Sequence, residues 1–70
     1  GLSDLTLALR LIRRLEAAAA SDPGGRLVAT CAPSVAQAAK PYAETLASRI
    51  GARFVIETNT DWPRDRLDVR

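Results

Sequence analysis

The sequence contains no histidine and no methionine, a single cysteine and only three aromatic residues. Without histidine, a Ser-His triad, a histidine metal ligand and imidazole acid–base catalysis are excluded. The lone Cys31 excludes an internal disulfide and a cysteine-based zinc site. Long apolar runs are also missing, because arginines interrupt the leucine-rich region before it approaches the ~18 apolar residues of a membrane span.

The composition is typical of one small globular domain. The 70 residues are 47% apolar and 26% charged, which separates the chain from disordered sequences. The formal net charge of +2 is too small to predict nucleic-acid binding by itself. The chain begins with Gly1 and lacks a signal-peptide pattern, so we expect a single domain over residues 1–70 that belongs to a longer protein.

The first segment is predicted to be a helix that begins after the N-cap Ser3 and ends near Ala20. One apolar stripe at helical spacing consists of Leu5, Leu9, Ile12 and Ala19. Further leucines widen that stripe to more than half of the circumference. Such an arc exceeds what a small sheet covers, so we predict an interface to another domain or subunit at Leu2, Leu7, Leu11 and Leu15. The alternative is a sheet that twists enough to cover the whole arc.

The remaining segments predict an α/β (α+β) fold of order α-β-α-β-β. The predicted strands are Arg26–Ala32, Arg53–Thr58 and Arg66–Arg70. The first two are joined by a helical crossover and should be parallel, whereas the last should be antiparallel, which gives a three-stranded mixed sheet. Pro41 lies inside the crossover, so we predict two helices, Ser34–Ala39 and Pro41–Ile50, with a break at Lys40.

Candidate chemical groups are few. Asp61, Asp65 and Asp68 have a spacing that could hold a divalent cation, but the interleaved arginines favour solvated ion pairs, and we predict no metal site and no catalytic residue. Cys31 is expected to be an inert core residue. Trp62 is either a stacking platform for a base or a lid over the core. A cluster of arginines on the first helix either meets phosphate or is a solvated face: Arg10, Arg13 and Arg14.

The order of these segments resembles a known family. Leu9–Ile12 followed by Glu16 and Ala17 is similar to the helix after the zinc-binding linker in bacterial ribonucleases of the E/G type, where an Arg sits inside a Leu/Ile helix. A polar turn, a strand ending at a proline, a helix with a break, a strand, an Asn/Asp/Pro turn and a last strand follow in that family. These places are filled here by Arg26–Ala32, Pro33, Val35–Ile50, Arg53–Thr58, Asn59–Pro63 and Arg66–Arg70.

The resemblance implies the C-terminal small domain of a ribonuclease E/G-type endoribonuclease, a cytoplasmic enzyme of RNA processing or decay. In that family the metal-binding aspartates and the zinc-linking cysteines lie upstream, so magnesium and zinc belong to the parent and no cofactor is expected in this chain. Where the helix breaks, the family carries an Asn-Glu-Lys-Arg block, whereas Ala38–Pro41 stands here. Lys40 is the only basic residue that remains in that block, and it is one candidate RNA-binding residue. Arg10, inside the first helix, is the other.

The implied partners are the upstream catalytic domain, further copies of the parent as a homo-oligomer, and RNA as the parent's substrate, with no membrane. A stand-alone RNA-binding module is the alternative function. It would need exposed aromatic residues on the strands, and only Phe54 is predicted on a strand.

Overall fold

The computed structural model describes all 70 residues and has two helices and three strands. The helices are α1 (Asp4–Ser21) and α2 (Pro33–Ile50). The strands are β1 (Leu27–Cys31), β2 (Phe54–Thr58) and β3 (Asp68–Val69). This is the predicted order, and the chain is a small α+β domain. Neither helix combines the length and the apolarity that crossing a membrane requires.

The sheet is mixed, with β1 in the centre. Its strand order is β2-β1-β3, where β2 is parallel and β3 antiparallel to β1. In register, Leu27 lies beside Phe54 and Cys31 beside Thr58. The predicted pairing directions are confirmed. The last strand is Asp68–Val69 and is thus shorter than predicted, although the next residue, Arg70, still exchanges two backbone hydrogen bonds with Val28 of β1.

Both helices pack on one face of this sheet. Alternate residues of β1 are buried, whereas the residues between them are only half-buried, and since successive side chains of a strand point to opposite faces, one face is left open. The helices run parallel to each other: Ser34 Oγ donates to Asp4 Oδ1 at their beginnings (3.3 Å), and Arg49 lies 3.5 Å from Glu16 near their ends. The result is a two-layer sandwich whose second sheet face we call the open face.

Local chemistry determines both ends of α1. Ser3 Oγ accepts the backbone N–H of Thr6, so the predicted N-cap is confirmed. At the other end, the Arg53 guanidinium donates to the carbonyls of Ala19 and Asp22 at 3.2 and 2.9 Å. A cation at this position opposes the partial negative charge of a helix C-terminus. Arg53 therefore ties the start of β2 to the end of α1.

The helix α2 is continuous through Pro41, so the predicted break at Lys40 is wrong. Pro33 occupies the first turn, and Ala32 caps the helix without a side-chain hydrogen bond, so Ser34 is not the cap. Buried residues on both sides of Pro41 explain the continuity. Val35 and Ala39 before it and Leu46 after it all belong to one core, and the proline itself is exposed.

The core lies between the helices and β1, and its leucines differ from the predicted interface. Leu7 is 2% exposed, and Leu11 and Leu15 are fully buried. The prediction that these three form an interface is wrong, because they fill the chain's own core against the sheet and α2. Leu2 remains exposed as expected. Leu5, which belongs to the apolar stripe identified from helical spacing, is 47% exposed.

Candidate functional site

The carboxylates do not form a metal site. No group of three or more His, Cys, Asp or Glu side chains is placed to hold an ion. The arginines interleaved with the C-terminal aspartates pair elsewhere, since Arg64 pairs with Asp4 and Arg70 lies 3.7 Å from Glu57. The ion pairs expected around the last turn therefore connect it to α1 and to β2.

Cys31 lies at the end of β1 and is fully buried in the core. Burial raises the pKa of its thiol, because a thiolate would lose its hydration. A protonated, inaccessible thiol is neither a nucleophile nor a metal ligand. The expectation that Cys31 is a packing residue is confirmed.

A polar cleft of about 480 Å³ lies where β1 and β2 end. Trp62 lines it and is half-buried, with the Arg66 guanidinium stacked 4.1 Å from the ring centroid. Thr30, Glu57 and Asp68 also line it, so acidic and basic groups are mixed in the cleft. One face of the indole is already occupied by Arg66. The cleft is thus less favourable to a nucleic acid than a basic groove with a free aromatic ring.

The structure does not bring the two candidate RNA-binding residues together. One turn after Arg10, the Arg14 guanidinium donates to the carbonyl of Leu67 beside β3 (2.9 Å). Lys40 lies instead on the flank of α2 that overhangs β2. Because β2 and β3 are the opposite edges of the sheet, Arg10 and Lys40 cannot form a single phosphate-binding patch.

An apolar strip crosses the outer surface of the helical layer. It consists of Leu5 and Leu9 on α1 and Tyr42 on α2, and we call it the outer strip. Leu5 is 47% and Tyr42 39% exposed, and Leu9 and Tyr42 share a shallow hollow between the helices. Sequence periodicity identified the wide apolar arc of α1 but placed its exposed part at the wrong leucines.

A second apolar surface is the groove between α2 and β2, which we call the edge groove. It measures about 440 Å³. Phe54 and Ile56 form its floor, and α2 contributes small side chains and two opposite charges, Lys40 and Glu44. Phe54 packs on the helical side of the sheet and not on the open face. Sequence reasoning missed this groove, although alanines at helical spacing beside a strand rich in large apolar residues are a signal for it.

No protein-family model matches the sequence, and neither the curated proteins nor the solved structures give a match to it. The outer strip and the edge groove are therefore assessed on their own chemistry.

Proposed function

We propose that the chain is the C-terminal small domain of a ribonuclease E/G-type endoribonuclease and serves assembly, not catalysis. It holds no catalytic residue in this proposal. Its partners are the upstream catalytic domain of the same protein and further copies of the parent, and the parent acts on RNA in cytoplasmic processing or decay. Magnesium and zinc belong to that parent.

The outer strip is the observation that carries the proposal. Large apolar side chains exposed at Leu5 and Tyr42 favour a docked partner, because contiguous exposed apolar surface marks interaction sites. The order helix-strand-helix-strand-strand supports the proposal, whereas the continuous α2 departs from the broken helix of the family. Docking would also add apolar contacts to a core of thirteen buried residues, a small number for an independent domain.

A cleavage assay of the 70-residue chain separates this proposal from an enzymatic role. With a single-stranded RNA oligonucleotide and Mg²⁺, we expect no cleavage, because metal-assisted hydrolysis needs carboxylates that converge on an ion. Metal-dependent cleavage that is lost in Asp65→Asn or Asp68→Asn would overturn the proposal. Asp22→Asn, in the turn after α1, is the matched control for a change of one exposed carboxylate.

A footprinting experiment tests the docking itself. Hydroxyl radicals should oxidise Tyr42 readily in the isolated chain and several-fold less in the longer protein that contains the upstream domain. Trp62, which lines the polar cleft and is not part of the outer strip, serves as the internal reference. Equal oxidation of Tyr42 in both proteins would contradict docking through the outer strip.

The alternative function, a stand-alone RNA-binding module, would depend on Trp62 in the polar cleft, whose ring keeps one face that Arg66 does not cover. Titration of the labelled chain with the same oligonucleotide decides between the two. We expect no saturating amide shifts beyond those that heparin, a polyanion without bases, also produces. Saturating shifts confined to the cleft, around Thr30 and Trp62, would establish the alternative.

A further inference from the structure

The outer edge of β2 is unprotected. Leu27 donates its N–H to the carbonyl of Arg53, and Asn59 donates to the carbonyl of Cys31. Because backbone direction alternates along a parallel strand, Phe54, Ile56 and Thr58 turn their N–H and C=O groups away from β1. The strand has five residues in regular register, without a proline or a bulge. Of the usual devices that prevent another strand from pairing, it has only one charged residue, Glu57, near its end.

The other edge of the sheet differs. β3 has only two residues, and shortness is itself a protection against pairing. In addition, β2 carries Val55 on the open face. Val55 is 54% exposed and is the most exposed large apolar side chain of the chain. The edge that is free to pair is thus also the edge with apolar surface on both sides, Val55 on one and the edge groove on the other.

We propose that a second copy of this chain docks at β2, by antiparallel pairing of the two β2 strands about a two-fold axis through Val55. The two sheets then form one sheet of six strands. Val55 packs against the partner's Val55 on the open face, and Phe54 lies opposite the partner's Ile56 in the edge groove. The N–H and C=O groups of Phe54 and Ile56, which point away from β1, then form the hydrogen bonds between the two β2 strands.

Charge on α2 supports a second copy as the occupant. The α2 residues that line the edge groove extend from Ala36 to Ala47, so the midpoint of the groove lies between Lys40 and Glu44. A two-fold axis at this midpoint places Lys40 opposite the partner's Glu44 twice, which is favourable in both directions. A self-complementary patch is what a two-fold interface requires.

Small side chains make room for the partner helix. On the flank of α2 that faces the axis, Ala36, Ala43 and Ala47 line the groove. Packed helices lie ~8–10 Å apart, at distances that depend on the side chains between them, so alanines allow the shorter ones. In a continuous sheet the two β2 strands are neighbours, so the two α2 helices above them lie close to each other on either side of the axis. The alanines permit this short distance between the helices.

Sedimentation velocity on the 70-residue chain, over concentrations up to ~1 mM to reach weak interfaces, tests the proposal. We expect a monomer–dimer equilibrium. Val55→Lys should raise the dimer dissociation constant at least about tenfold, since it sets two like charges face to face across the axis. Ala17→Lys, which adds the same charge at an exposed apolar position of α1 outside the outer strip, is the matched control and should leave the constant within about twofold. Circular dichroism verifies that each variant is folded.

A charge swap tests the register. Lys40→Glu and Glu44→Lys should each weaken the dimer several-fold, and the double variant should restore it, because only the double variant recovers opposite charges across the axis. A wild-type chain that stays monomeric overturns the proposal. So does a dimer that Ala17→Lys disrupts and Val55→Lys does not, or a double swap that fails to restore association. A failed dimer would remove this contact between copies but not the docking of the upstream domain, which the oxidation of Tyr42 tests separately.

Discussion

Pro41 gives the sharpest test of the structure, because it lies in the middle of a continuous helix. Eight residues of α2 precede it and nine follow. A proline in a helix interior lacks the N–H that would bond the carbonyl four residues earlier, here Gln37, and its ring crowds that carbonyl, at a cost of ~3 kcal/mol. Alanine removes both effects, but it also frees the unfolded chain, which offsets the gain by up to ~1 kcal/mol. We therefore expect Pro41→Ala to stabilise the domain by about 2 kcal/mol.

Urea denaturation followed by far-UV circular dichroism measures this change, with an unchanged slope and a higher midpoint. In thermal unfolding the same gain corresponds to a rise in Tm of about 8–16 °C for a domain of this size. Pro33→Ala is the matched control. Pro33 lies in the first turn, where its missing N–H is unpaired in any case, so the change should stay within ~1 kcal/mol. A Pro41→Ala variant that is no more stable than Pro33→Ala would show that the helix is broken at Lys40.

Three further predictions follow from burial and hydrogen bonding. Leu7→Ser should destabilise by ~3–5 kcal/mol or unfold the domain, whereas Leu5→Ser should change stability by less than ~1 kcal/mol, as measured by urea titration; equal effects would contradict the assigned core. The Cys31 thiol should resist a thiol reagent until urea unfolds the chain. Burial raises the pKa of this thiol above the ordinary 9.0, so the unfolded chain loses the thiol proton at a lower pH than the folded chain does. The free energy of unfolding should therefore decrease as the pH rises past ~9. Cys31→Ala should remove the contribution of the thiol to this decrease. Arg53→Met keeps the aliphatic stem but loses two hydrogen bonds to α1, and should cost ~1–2 kcal/mol in the same titration; a neutral result would refute the capping role.

The elements that sequence predicted well are those with local causes. Ser3 caps α1 through its own side chain, and Gly51 ends α2 at a φ of 85°, a backbone conformation that favours glycine. The strand that begins at Leu27 is a short, mostly apolar run bounded by glycines and a proline, which is typical of a strand inside a sheet. Each of these features depends on a few neighbouring residues, so the order of the elements and the strand directions could be predicted.

The wrong predictions depend on packing between distant segments. A proline signals a break locally, but α2 keeps Val35 and Leu46 in the same core only if the helix continues between them. Similarly, no local feature of α1 indicates which half of its apolar arc faces the core. The positions of the sheet and α2 decide that Leu7 is buried and Leu5 exposed, and neither position can be derived from the sequence of α1 alone.

The two proposed contacts use different flanks of α2 and can therefore exist together. Tyr42 lines the hollow against α1, whereas Lys40 and Glu44 line the edge groove beside β2. Residues two apart on a helix point in nearly opposite directions, because each residue turns the helix by about 100°. A dimer formed at β2 thus leaves the outer strip uncovered, one strip on each copy. If the ribonuclease proposal holds, pairing two small domains would connect two catalytic domains without competing for the outer strip.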